Sequence, residues 1–101
     1  MDILLQDRQA FKFICNKLNA MNYEVSNIRV YKLSMSFLII LDASFIKEHT
    51  KQIAKLFNDV FDKFSNTSAF FIFGSKEKIK NRYIEITDDF KNIIKKDDKS
   101  K

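Results

Sequence analysis

Proline and tryptophan are absent from this chain, and glycine, cysteine and histidine occur once each, as Gly74, Cys15 and His49. With so little proline and glycine, sharp corners are scarce, and turns must be built from Asn, Asp and Ser. A single cysteine excludes an intramolecular disulfide and fits a reducing compartment. One Cys and one His do not supply the ligand set of a zinc site. Nucleophilic catalysis needs an activated nucleophile beside a base. Cys15 falls on an apolar helical stripe and reads as a small core residue, His49 reads as a half-buried helix residue, and no spacing pairs the two. Gly74 alone cannot form a glycine-rich phosphate loop. The adjacent carboxylates Asp88-Asp89 suit a helix start, and Asp97-Asp98 sit in a charged tail. Neither pair resembles a calcium loop or a two-carboxylate acid/base site. The chain is therefore expected to be no enzyme and to carry no cofactor and no metal. No apolar run is long enough to span a bilayer. The sequence opens on Met1-Asp2, an acid where a secretory signal carries bases. A cytoplasmic protein with no membrane association is expected.

What the chain does contain is two short, unbroken apolar runs, Phe37-Leu38-Ile39-Ile40-Leu41 and Ala69-Phe70-Phe71-Ile72-Phe73. Runs this short, rich in Ile and Phe, read as strands buried on both faces. The 101 residues make one domain, expected over 1–94, with a charged, frayed tail over 95–101.

In chain order, residues 2–21 read as a helix with Asp2 as cap and Asp7 near its positive end. Phe11, Ile14, Cys15, Leu18 and Met21 form its apolar stripe, and Asn19 and Asn22 suit its end. From Tyr23 the period falls to two, with a slip at Ser26-Asn27. Residues 27–33 and 36–42 are expected to form a hairpin, or else one bent strand, because no Asn-Gly or Asp-Gly marks the turn. A second helix follows over 45–65, its stripe made of Ile46, Ile53, Phe57, Val60, Phe61 and Phe64. Residues 65–68 are a loop. A second hairpin is expected to turn at Gly74-Ser75 and return through Tyr83–Thr87, and Thr87-Asp88-Asp89 caps a short third helix carrying Phe90, Ile93 and Ile94. The expectation is an α+β fold: a two-layer helix-on-sheet domain, ordered α-β-β-α-β-β-α, with about four largely antiparallel strands.

Strands with water on one side should alternate apolar and polar, and these two do not. Three covers for the second sheet face are open: the third helix, a second copy in a homodimer, or another protein. The residues 71–83 hold four bases against one acid, three of the five excess positive charges of the chain. Such a patch attracts phosphate or an acidic protein surface.

Together these features point to a small basic protein-binding module, an adaptor or an inhibitor that occupies a partner's surface. Phe37, Ile39, Leu41, Phe71 and Phe73 are its expected apolar contact, and Lys76, Lys78, Lys80 and Arg82 its charged rim. The alternative is a nucleic-acid-binding protein making mainly phosphate contacts through Arg29, Tyr31, Lys32, Lys78, Lys80 and Arg82. No ribonucleoprotein aromatic motif, GXXG loop or helix-turn-helix accompanies those residues. Richness in Lys, Asn, Ile and Phe fits an AT-rich genome, where short motif-free chains are often phage or mobile-element products.

Overall fold

The computed structural model describes residues 3–64 and 70–99. The expected cap at Asp2, the loop at 65–68, Ala69 of the second apolar run and residues 100–101 of the tail lie outside the described residues.

The first helix, α1, spans Leu5–Ala20 and buries Ala10, Phe11, Ile14, Cys15 and Leu18 along one stripe. It ends in a Schellman turn. The Tyr23 N–H donates to Leu18 O at 3.0 Å and the Asn22 N–H to Asn19 O at 2.9 Å, with Asn22 at φ 65°. Asparagine tolerates this left-handed place better than most residues, so a glycine-poor chain can still stop a helix cleanly. The alternation from Tyr23 is not a strand. A 3-10 turn occupies Val25–Asn27, and Tyr23 and Ile28 turn into the core on either side of it.

Strands β1 (Arg29–Leu33) and β2 (Ser36–Ile40) form an antiparallel hairpin, from Arg29 opposite Ile40 to Leu33 opposite Ser36. The bent-strand alternative is thus excluded. Ser34, at φ 53°, takes the left-handed place in the two-residue loop. Two helices, α2 (Ala43–Glu48) and α3 (Thr50–Lys63), stand where one was expected. The break falls at His49, with φ −121° and ψ 32°. There the Thr50 hydroxyl lies 3.0 Å from Ile46 O and 3.1 Å from Lys47 O. It competes for carbonyls that a continuous helix would bond through its backbone. Strand β3 (Phe70–Gly74), a 3-10 turn at Lys76–Lys78, strand β4 (Ile84–Glu85) and helix α4 (Thr87–Lys99) complete the chain. Helix α4 continues beyond the boundary expected at residue 94.

The α+β class and the helix-on-sheet arrangement are as expected. The largely antiparallel character is met in part, since β1 pairs antiparallel with both β2 and β4, but the sheet is mixed and the expected second hairpin is absent. Strand order is β3-β2-β1-β4, and β2 runs parallel to β3, Phe37 beside Phe71 and Ile39 beside Phe73. The helical connection between β2 and β3 is long enough to permit parallel pairing, which a tight turn cannot make. Strand β4 pairs with β1 at the opposite edge, so the chain must cross the sheet between β3 and β4.

Phe11 is the hub of the core. Its ring meets Phe37, Phe71 and Phe90 edge-on, with centroids 5.0, 5.4 and 5.3 Å away. Phe37 and Phe71 stack on each other at 5.3 Å. Val30, Ile39, Leu41, Ile53, Leu56, Val60 and Ile86 close around this group. On the other sheet face Tyr31, Leu38 and Ile40 form a second buried cluster, covered by Ile72, Ile79 and Tyr83. The third helix does not supply this cover. The cover is the crossing segment itself, while α4 packs on the principal core through Phe90. Gly74 leaves room for a lysine stem at the start of the crossing. A Cβ there would stand 2.8 Å from Lys78 Cδ, so the Lys78 stem lies where a side chain would be.

Truncating Phe11 to Ala leaves a cavity among three rings and should cost ~3–5 kcal/mol, read as a large fall in the urea midpoint. Ile79→Ser uncovers Leu38 and Ile40 and should cost about 1–2 kcal/mol. It should also speed amide exchange in β2, with the Phe11 side of the core still packed.

Candidate protein-binding surface

The fold places the expected contact residues unevenly. Phe37, Ile39, Leu41 and Phe71 are core side chains, closed under the helices. They offer no surface in this fold, because the face that they share is the one the helices cover. Phe73 is half-buried at the rim of the same core. Lys76, Lys78, Lys80 and Arg82 are all exposed along the crossing segment. They share that segment with Ile79 and Tyr83, whose side chains point inward to the second cluster. The acid among them, Glu77, accepts a hydrogen bond from the Ser75 hydroxyl.

Arg29, Tyr31 and Lys32 are not brought together. Tyr31 is buried beneath the crossing segment. The Lys32 ammonium sits on the helix side, 4.7 Å from the Phe37 ring centroid. Arg29 lines a polar cleft of about 530 Å³ with Ser26, Asp42, Glu85, Asp88 and Lys91. Much of that cleft is committed to holding its own walls. The Thr87 hydroxyl donates to Glu85 Oε2 at 2.8 Å and accepts from the Val30 N–H at 3.1 Å. The Lys91 ammonium donates to Ser26 O at 3.3 Å.

A surface that the sequence reading missed lies at the β3 edge. Helix α3 turns Ile53, Leu56 and Val60 into the core. Phe57 and Phe61, one turn apart, are left 43% and 58% exposed. Between this ridge and the strand runs a groove of about 290 Å³ lined by Ile53, Ala54, Phe57, Asn58, Ile72 and Phe73. Strand β3 is the end strand of the sheet, so one of its backbone edges has no strand partner among the described residues. The signal in the sequence was the width of the α3 stripe. Once Leu56 is counted with Ile53 and Val60, Phe57 and Phe61 fall on the flank of the buried arc.

The single cysteine and histidine are held in structural roles. Burial pushes the Cys15 thiol up to about 12, so the thiolate required of a nucleophile is disfavoured. His49 Nδ1 lies 3.0 Å from Phe45 O, and its ring stacks on Phe45 at 4.2 Å. Because a carbonyl can only accept, Nδ1 carries the proton in this contact. Among the described residues, no group of three His, Cys, Asp or Glu side chains is placed to hold a metal ion, and no helix is long and apolar enough to cross a membrane.

Among the described residues, Asp7 is a buried carboxylate whose burial is only partly offset by a neighbouring base. Asp7 is 4% exposed in the first turn of α1, and its Oδ1 has no hydrogen-bond partner. Burial raises its pKa from the ordinary 3.8, and Lys32 pulls it partly back. The folded state therefore binds the Asp7 proton more tightly than the unfolded chain does. That contribution to stability is full below pH 3.8 and is lost as pH rises through the raised folded value. Asp7→Asn should accordingly raise the melting temperature at pH 7, and the gain should shrink as pH approaches 3.8. A gain of equal size at both pH values would show that the charge is not its source. No protein-family model matches this chain, and no curated protein or solved structure does either.

Proposed function

We propose that this chain is a non-enzymatic protein-binding module, an adaptor or inhibitor that works by occupying a protein surface. The observation that carries the reading is the exposed pair Phe57 and Phe61 beside the open edge of β3. Two phenylalanines in water beside an unpaired strand edge forgo apolar burial worth ~1 kcal/mol or more each. A strand edge with apolar side pockets is the arrangement by which extended segments of other chains are captured. Lys76 and Lys78 follow directly on β3 and provide the charged rim, with Lys80 and Arg82 further along the crossing.

Phe57→Ser combined with Phe61→Ser should abolish a protein contact that the wild-type chain makes in its host, followed by a photoreactive residue placed at Asn58. Both side chains are largely outside the core, so the melting temperature should change little. A cross-link that persists in the double variant overturns this surface.

Phosphate contact through the basic stretch is the second reading, favoured by the exposure of all four bases on one segment. It requires binding to short DNA or RNA whose log K falls with log salt by about 0.7–0.9 for each phosphate neutralised. No binding at low salt removes it.

A further inference from the structure

We infer that the polar cleft beside β1 binds a free amino acid with a basic side chain, of the lysine or arginine type. The cleft shares no residue with the β3 groove, so this inference goes beyond the protein-binding reading and does not depend on it.

The cleft holds about 530 Å³, within the range of small-molecule sites. Two bases, Arg29 and Lys91, and three acids, Asp42, Glu85 and Asp88, stand around it. The sheet register brings part of this set together. Tyr31 lies opposite Glu85, and Arg29, two residues before Tyr31, leaves β1 on the same face. Two of the five charges are engaged with the walls. The Lys91 ammonium donates to Ser26 O at 3.3 Å, and Glu85 Oε2 accepts from the Thr87 hydroxyl at 2.8 Å. That leaves Arg29, Asp42 and Asp88, one guanidinium against two carboxylates. All three are exposed, and among the described residues none of them is in an ion pair.

The walls are fixed without a ligand. The Val30 N–H donates to the Thr87 hydroxyl at 3.1 Å and ties the start of α4 to β1. The Asp42 N–H donates to the hydroxyl of buried Tyr23 at 3.0 Å and holds the start of α2. A site already held in place loses little freedom when it binds.

Charge selects the ligand. A phosphate meets one unpaired base and two unpaired acids. A metal ion meets the guanidinium, and among the described residues no three His, Cys, Asp or Glu side chains are placed to hold it. A molecule with one carboxylate and two positive groups matches all three unpaired charges. Its carboxylate pairs with the Arg29 fork, and its two cationic groups pair with Asp42 and Asp88. An α-amino acid with a basic side chain is a small molecule of this kind. The chain carries a net charge of +5, so its overall field attracts anions and repels cations. Uptake of a basic amino acid therefore reports a local site.

Isothermal titration calorimetry of the full chain at low salt tests this. The ligands are L-lysine, L-arginine, L-glutamate and cadaverine, the last being lysine without its carboxylate. Saturable binding of lysine or arginine at a single site is expected, and none of glutamate. Arg29→Gln should weaken the bound amino acid about tenfold, the usual worth of a charge-assisted contact, and leave cadaverine unchanged. Asp42→Asn with Asp88→Asn should weaken both. Asparagine starts helices as well as aspartate does, so these variants should melt as the wild type does. Failure of both basic amino acids to bind overturns the inference. So does glutamate bound as well as lysine, an Arg29→Gln variant that loses amino acid and diamine alike, or an asparagine pair that loses neither.

Discussion

The fold depends on the burial of one ring. Phe11 sits on α1 and touches Phe37 of β2, Phe71 of β3 and Phe90 of α4, so residues far apart in sequence meet on a single side chain. The edge-on contacts follow the quadrupole preference of aromatic pairs. The stacked pair Phe37 and Phe71 are also register neighbours in the parallel ladder. A slip of one residue in either strand would turn its phenylalanine away from Phe11 and bring the opposite face inward. The hub therefore fixes helix position, strand order and register together. It also explains why side chains that look available on an apolar strand are not available to a partner.

The second sheet face is solved differently. The segment after Gly74 carries apolar residues inward and bases outward. Ile79 and Tyr83 close over Tyr31, Leu38 and Ile40, while Lys76, Lys78, Lys80 and Arg82 face solvent. A chain of 101 residues has little surface to spare for a separate layer, and one irregular crossing does the covering here. The positive patch thus sits on a structural lid, so its bases can be varied with little effect on the core, while Ile79 and Tyr83 cannot.

Local pattern carried the elements well and their pairing poorly. The α1 stripe, the first hairpin and the buried character of Phe37–Leu41 were all legible, because each is written within a few residues as a period or a run. The parallel pairing of β2 with β3 was not. It depends on Phe37 and Phe71 meeting over Phe11, a contact between distant residues that no local period encodes. The break at His49 was hidden because the Thr50 hydroxyl interrupts a helix whose apolar period continues through it. The crossing segment read as a positive patch and not as a cover because Ile79 and Tyr83 are outnumbered by bases. The candidate surface was half legible. Phe57 and Phe61 were seen, but a stripe read without Leu56 placed them in the core. One residue moves the centre of a helical arc by enough to turn two phenylalanines outward.

The composition that limits corners also limits how an edge can be protected. A chain without proline cannot block β3 by removing a donor, and with a single glycine, already spent beneath Lys78, it has little means to bulge or bend the strand away. Charge is the remaining device, and the bases cluster just after β3 rather than within it. Instead the strand is apolar throughout and is flanked by two more exposed phenylalanines. An unprotected edge beside an exposed apolar ridge is a template for aggregation unless something specific and geometrically closed occupies it. Among the described residues, the β3 edge and the phenylalanines beside it are therefore the part of this fold with the least cover of its own.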